Sequence, residues 1–148
     1  MGLFRYVHPL LKVPQAVASN EVGETFVIVP SDSDRTEDHQ ISFRAFIDAT
    51  QSGGSSAPTV TVYLQTSHNG SSWVDAIVPI QLSADGTTNE FLAIQAVGPF
   101  VRAKTMLYGN PKPNHTVMVA LAADGAFRLQ AVPGSVEAQV AVHATPAG

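Results

Sequence analysis

Tyr63, His68, Asn69 and Trp73 crowd into one run, YLQTSHNGSSWVDA, which also holds the chain's single tryptophan. Residues of these types can bind a sugar: rings stack on the C–H faces of a pyranose while amide and imidazole groups hydrogen-bond its hydroxyls. The same run also suits a hairpin. Asn69-Gly70 supplies the positive φ of a tight turn between a strand Thr59–Ser67 and a returning strand Ser72–Val78. Trp73, just past the turn, would then cover the end of a core with its N–H on a loop carbonyl. The hairpin reading is preferred, and a carbohydrate site on Trp73, Tyr63, His68 and Asn69 is the alternative.

Other residues invite a test for chemistry. Asp32, Asp34, Glu37 and Asp38 make SDSDRTEDH resemble a calcium loop. An EF-hand needs a glycine at its sixth position and a closing glutamate, and neither is in register, so the stretch reads as a solvated acidic loop. The five histidines, His8, His39, His68, His115 and His143, show neither the i, i+2 spacing of a strand site nor the i, i+4 spacing of a helix site. With no cysteine there is no thiolate nucleophile and no thiolate metal centre. Nucleophile-elbow, phosphate-loop and zinc-protease motifs are absent from the sequence. The expectation is a non-enzyme without cofactor or metal.

The bulk numbers narrow the partners. The chain has 148 residues, 45% hydrophobic and 14% charged, with a net charge of −4. That is one domain's worth of chain, with a surface unusually poor in charge and therefore prone to be covered by partners. An acidic balance offers no polycationic footprint for nucleic acid. The opening MGLFRYVHPLLKVPQAVASN is superficially signal-like, but Arg5, His8, Pro9, Lys12 and Pro14 interrupt any apolar h-region. No membrane association is expected.

From about residue 24 the hydrophobic pattern has period two, the mark of strands with one face inward. Ile41, Phe43, Ala45 and Ile47 alternate with polar or outward positions, as do Val60, Val62 and Leu64, then Val101, Ala103, Thr105 and Leu107, then Val117, Val119 and Leu121. Phe127 and Leu129 follow, then Val136, Ala138, Val140 and Val142. Gly-, Asn-Gly- and Asp-Gly-containing turns separate these runs. The pattern predicts an all-β fold, an antiparallel β-sandwich or jelly-roll-like barrel of roughly eight strands over residues 23–148.

Residues 1–22 stand apart. Phe4, Tyr6, Leu10 and Leu11 are apolar, yet Pro9 and Pro14 forbid a continuous helix, so an extended N-terminal arm is expected, resting on its own sandwich or on a neighbour. The Val- and Ala-rich C-terminus reads as a slim edge strand able to accept a partner strand. Arg102 and Lys104 share the outward face of PFVRAKTML, where they could meet an acidic patch such as the Asp32–Asp38 loop of another copy.

VYLQTSHNGSSWVD followed by PFVRAKTML resembles a pattern found in small β-sandwich proteins of tailed bacteriophage virions: strand, Asn/Asp-Gly turn, Trp-containing strand, then a "yVR" strand. It is similar also to galactose-binding-like jelly rolls, including discoidin-type modules. The resemblance spans residues 58–107. It implies a non-enzymatic virion protein, assembled in the host cytoplasm, that decorates or stabilises a capsid or tail by binding its subunits. By the same analogy it would be a homo-oligomer, with a trimer the natural guess. Its candidate partner contacts are Phe4, Tyr6, Leu10 and Leu11, the edge-strand residues Val136, Val140 and Val142, and the pair Arg102 and Lys104.

Overall fold

A computed structural model describes residues 3–30, 41–53, 59–94 and 97–133. Among them the chain forms strands β1 (Tyr6–Val17), β2 (Glu21–Val22), β3 (Phe26–Pro30), β4 (Phe43–Ser52), β5 (Thr59–Ser67), β6 (Val74–Asp75), β7 (Ile80–Leu82), β8 (Gly86–Ala93), β9 (Phe100–Tyr108), β10 (Asn114–Ala123) and β11 (Phe127–Ala131), with no helix. A four-stranded sheet runs β1-β10-β4-β8, and a seven-stranded sheet runs β11-β3-β9-β5-β6, with β2 pairing β9 and β7 pairing β5. Every pairing is antiparallel. This is the expected all-β sandwich. Setting aside the two- and three-residue strands β2, β6 and β7 leaves eight strands.

The period-two runs do what the pattern predicts. Ala45, Ile47 and Ala49 of β4 and Val117, Val119 and Leu121 of β10 face Val60, Val62 and Leu64 of β5 and Val101, Ala103 and Leu107 of β9 in one core. β10 lies between β1 and β4, and its outward residues Ala120 and Ala122 are buried as well. In register they are flanked by Pro9 and Phe46 and by Val7 and Arg44, so small side chains sit in the shadow of larger ones.

The expected arm has a definite resting place. Residues 6–17 are extended, as foreseen, but they form β1, paired along β10 from Tyr6↔Ala123 to Val17↔His115. Leu10 and Leu11 are 4% and 9% exposed within the chain's own core, so they meet no partner while β1 stays folded. That corrects their assignment as partner contacts: the arm's apolar side chains gain more by completing this core than by waiting for a neighbour. Tyr6 packs against the same core. Phe4 reaches toward the β8 edge, edge-on to Phe91 at 5.9 Å and beneath Arg44 at 5.4 Å. The postulated edge strand with Val136, Val140 and Val142, and the acidic loop Asp32–Asp38, lie outside the described residues.

Two histidines tie the sheets together. His8 of β1 donates from Nε2 to the carbonyl of Phe127 at 2.9 Å and packs edge-on to its ring. His115 of β10 is buried; its Nδ1 lies 2.9 Å from the carbonyl of Val17 and its Nε2 2.9 Å from Thr105 Oγ1 on β9. A carbonyl only accepts, so Nδ1 carries the proton and, in the neutral ring, the Thr105 hydroxyl donates to Nε2. Directly across from His115 in register is Gln51, 1% exposed, whose amide N and O both lack a hydrogen-bond partner among the described residues.

These neighbouring buried polar residues should respond to substitution with opposite signs. His115→Ala removes two bonds and opens a cavity, and should cost about 2–4 kcal/mol. Gln51→Met replaces an unsatisfied amide by an apolar chain of similar length; it should stabilise by about 1 kcal/mol, a Tm rise of about 3 °C. Thermal and urea unfolding of the two variants check both values.

Candidate functional site

The chain around Trp73 is built from its turn outward. Ser67 Oγ accepts from the backbone N–H of Gly70 at 2.9 Å, and Asn69 Oδ1 accepts from the N–H groups of Ser71 and Ser72, each at 2.9 Å. Gly70 sits at φ 82°, where a β-carbon is strained. Ser67 and Asn69 thus serve the turn by accepting backbone N–H groups that the tight bend leaves without a backbone partner, and Ser71 Oγ donates to the same Asn69 Oδ1 at 3.2 Å. His68 is exposed.

The return is not the continuous strand Ser72–Val78. β6 pairs only at Gln65↔Asp75 and Thr66↔Val74; the chain then turns inward to bury Ala76 and Ile77 before β7 rejoins β5. This register settles where the tryptophan goes. Trp73 is half-buried outside the core, on the outer face of the seven-stranded sheet, where the Arg102 guanidinium lies 4.2 Å from its ring centre. A core-covering role is therefore replaced by a cation–π stack. Arg102 also donates from Nε to Gln65 Oε1 at 2.9 Å. One step along the same face, Lys104 lies 5.2 Å from the ring centre of Tyr63, its register partner. Partial burial holds the Arg102 pKa below the usual guanidinium value, through desolvation of the charge.

Trp73, Asn69 and Arg102 wall one cleft of about 380 Å³, together with Phe100, Val132 and Pro133. Two members of the expected sugar set are therefore brought together, while Tyr63, under Lys104, and His68 are not among the residues of that wall. Arg102 belongs to the cleft although the hairpin run alone does not contain it. Its alternation with Val101 and Ala103 was the available signal, but which ring it covers depends on the pairing of β9 with β5.

The outer face of the other sheet is apolar at one end. Val7, Pro9, Phe46, Phe91, Ala120 and Ala122 share it, with Phe46 and Phe91 packed at 6.3 Å. Leu3, Val7 and Phe91 are 72%, 48% and 54% exposed. At the other end Lys12 and Asp48 line a shallow groove of about 210 Å³. Elsewhere side chains serve the fold: Asp124 accepts from the Ser42 N–H, and His8 and His115 are taken up by their inter-sheet bonds. Among the described residues no cluster of three or more His, Cys, Asp or Glu could hold a metal ion.

Compared with known protein families, curated proteins and solved structures, the chain matches none.

An outer-face stack and a core-capping ring differ in energy. Trp73→Ala should cost about 1–2 kcal/mol, well short of the 3–5 kcal/mol of a truncated core aromatic. Arg102→Ala should leave the fold intact while shifting Trp73 emission to the red. Urea unfolding and fluorescence of the two variants measure both effects.

Proposed function

We propose that this chain is a non-enzymatic structural module that packs against copies of itself on a larger protein lattice, the virion of a tailed phage. The outer face of the four-stranded sheet is the docking surface. The observation that carries the reading is the apolar end of that face, where Phe91, Val7 and Leu3 stand largely in solvent beside half-buried Phe4 and Phe46. Burying the exposed half of Phe91 alone contributes roughly 2 kcal/mol before ordering costs. A second copy is the favoured occupant because the face carries both charge signs. With Lys12 and Asp48 bordering one groove, a two-fold pair can set each against its opposite in the other copy.

Phage membership rests on the resemblance of residues 58–107 and on the charge-poor composition. In that setting the neighbours are capsid or tail subunits, the place of assembly is the host cytoplasm, and many weak contacts act together through multivalency. Nucleic acid, membrane and cofactor have no part in the proposal. A carbohydrate-binding role is the second reading, favoured by the Trp73 and Asn69 cleft.

Light scattering coupled to size exclusion tests the proposal. Wild-type protein should associate as concentration rises, and Phe91→Asp or Val7→Asp should lower the association constant by about tenfold or more, with the far-UV spectrum unchanged. A protein that remains monomeric at every concentration, or association indifferent to both changes, overturns it.

A further inference from the structure

We infer that the Arg102–Trp73 cleft binds a carboxylate carried on a small ring with apolar C–H faces, the chemistry of a uronic-acid sugar. The site lies on the seven-stranded sheet, away from the docking face, so it stands or falls independently of the assembly proposal.

Among the described residues Arg102 is held but meets no carboxylate. Trp73 supports its plane and Gln65 takes its Nε–H; these are its partners among the described residues, and neither is a carboxylate. The acidic residues nearest in sequence or register are Glu24 and Asp75, and neither forms an ion pair with it. Among the described residues the Nη hydrogens have no protein acceptor, and they stand in the fork geometry that matches a carboxylate's two oxygens. Burial already disfavours the charge, as the lowered pKa reflects, so the guanidinium has surrendered part of its hydration with no carboxylate among the described residues to replace it. A carboxylate arriving there meets a donor whose orientation and desolvation are settled beforehand.

The rest of the wall selects what carries the carboxylate. Phe100, Val132 and Pro133 are apolar, and among the described residues no acidic side chain lines the cleft. Asn69 uses its Oδ1 within the turn, which leaves its Nδ2 hydrogens as a second donor. Donors without a competing carboxylate fit an anion, and ring and proline surfaces fit the C–H faces of a pyranose. The opening of about 380 Å³ lies within the range of small-ligand pockets. The other guanidinium stacked on a ring, Arg44 over Phe4, differs in sharing its cavity with the Asp124 carboxylate.

Because Trp73 is the sole tryptophan, its emission reports directly on the cleft. The full chain is titrated with glucuronate, glucose, acetate and a short glutamate peptide, with amide NMR shifts of Asn69 and Gly70 as a second readout. Glucuronate should saturate with a Kd on the order of 1 mM, and glucose should give no saturable change. Arg102→Gln, on an outer face and expected to fold, should weaken glucuronate at least about tenfold. Equal binding of glucose removes charge from the recognition and overturns the site. Acetate or the peptide binding as tightly as glucuronate overturns the sugar assignment. A glucuronate response unchanged by Arg102→Gln, or no saturable response by either readout, overturns the proposal outright.

Discussion

The structure depends on the packing of β1 against β10. Leu10, Leu11 and Val13 enter a core that the other strands leave open on that side, and the ladder from Tyr6 to Val17 satisfies the backbone of β10. With β1 in place β10 becomes an interior strand paired on both edges, and the larger outward side chains of β1 and β4 shade its small ones, which explains the alternation giving way to Ala120-Leu121-Ala122-Ala123, all buried. His8 and His115 then bridge from this sheet to β11 and β9. The N-terminal segment is thus a structural member. What it presents outward is an apolar face, not a free arm.

The two outer faces have opposite characters for a reason visible in their cross-strand neighbours. On the four-stranded sheet, Phe46 pairs with Phe91 and both flank small residues, leaving a smooth apolar surface suited to a flat contact. On the seven-stranded sheet, Lys104 pairs with Tyr63 and Arg102 with Gln65, so cations lie on rings and the surface is a ladder of donors. The first face favours association by area. The second favours recognition by charge and shape.

Much of this architecture could be read from period-two hydrophobicity, because β4, β5, β9 and β10 each have one face in the core and one toward solvent. Among the strands that escaped that reading, β1 and β8 show why. β1 carries Pro9 and Pro14, which look like breaks, yet at a sheet edge a missing N–H removes no ladder bond, and a bulge between Pro9 and Leu11 absorbs the irregularity. β8, GTTNEFLA, is the opposite edge, and its partly inward Thr88 and Glu90 bond each other, so no apolar alternation announces it.

The residues alone were enough to say that this chain is built of strands, that its turn at Asn69-Gly70 is tight, and that Arg102 and Trp73 are present in charge-poor surroundings. These follow from local rules, namely side-chain alternation, the φ preference of glycine, and composition. It took long-range packing to place Leu10 and Leu11 in the chain's own core and Trp73 under Arg102 rather than inside. Both outcomes depend on register between strands far apart in sequence, β1 with β10 and β9 with β5. Register is set by the sum of many inward side chains at once, and a shift of one residue would turn each of them to the other face.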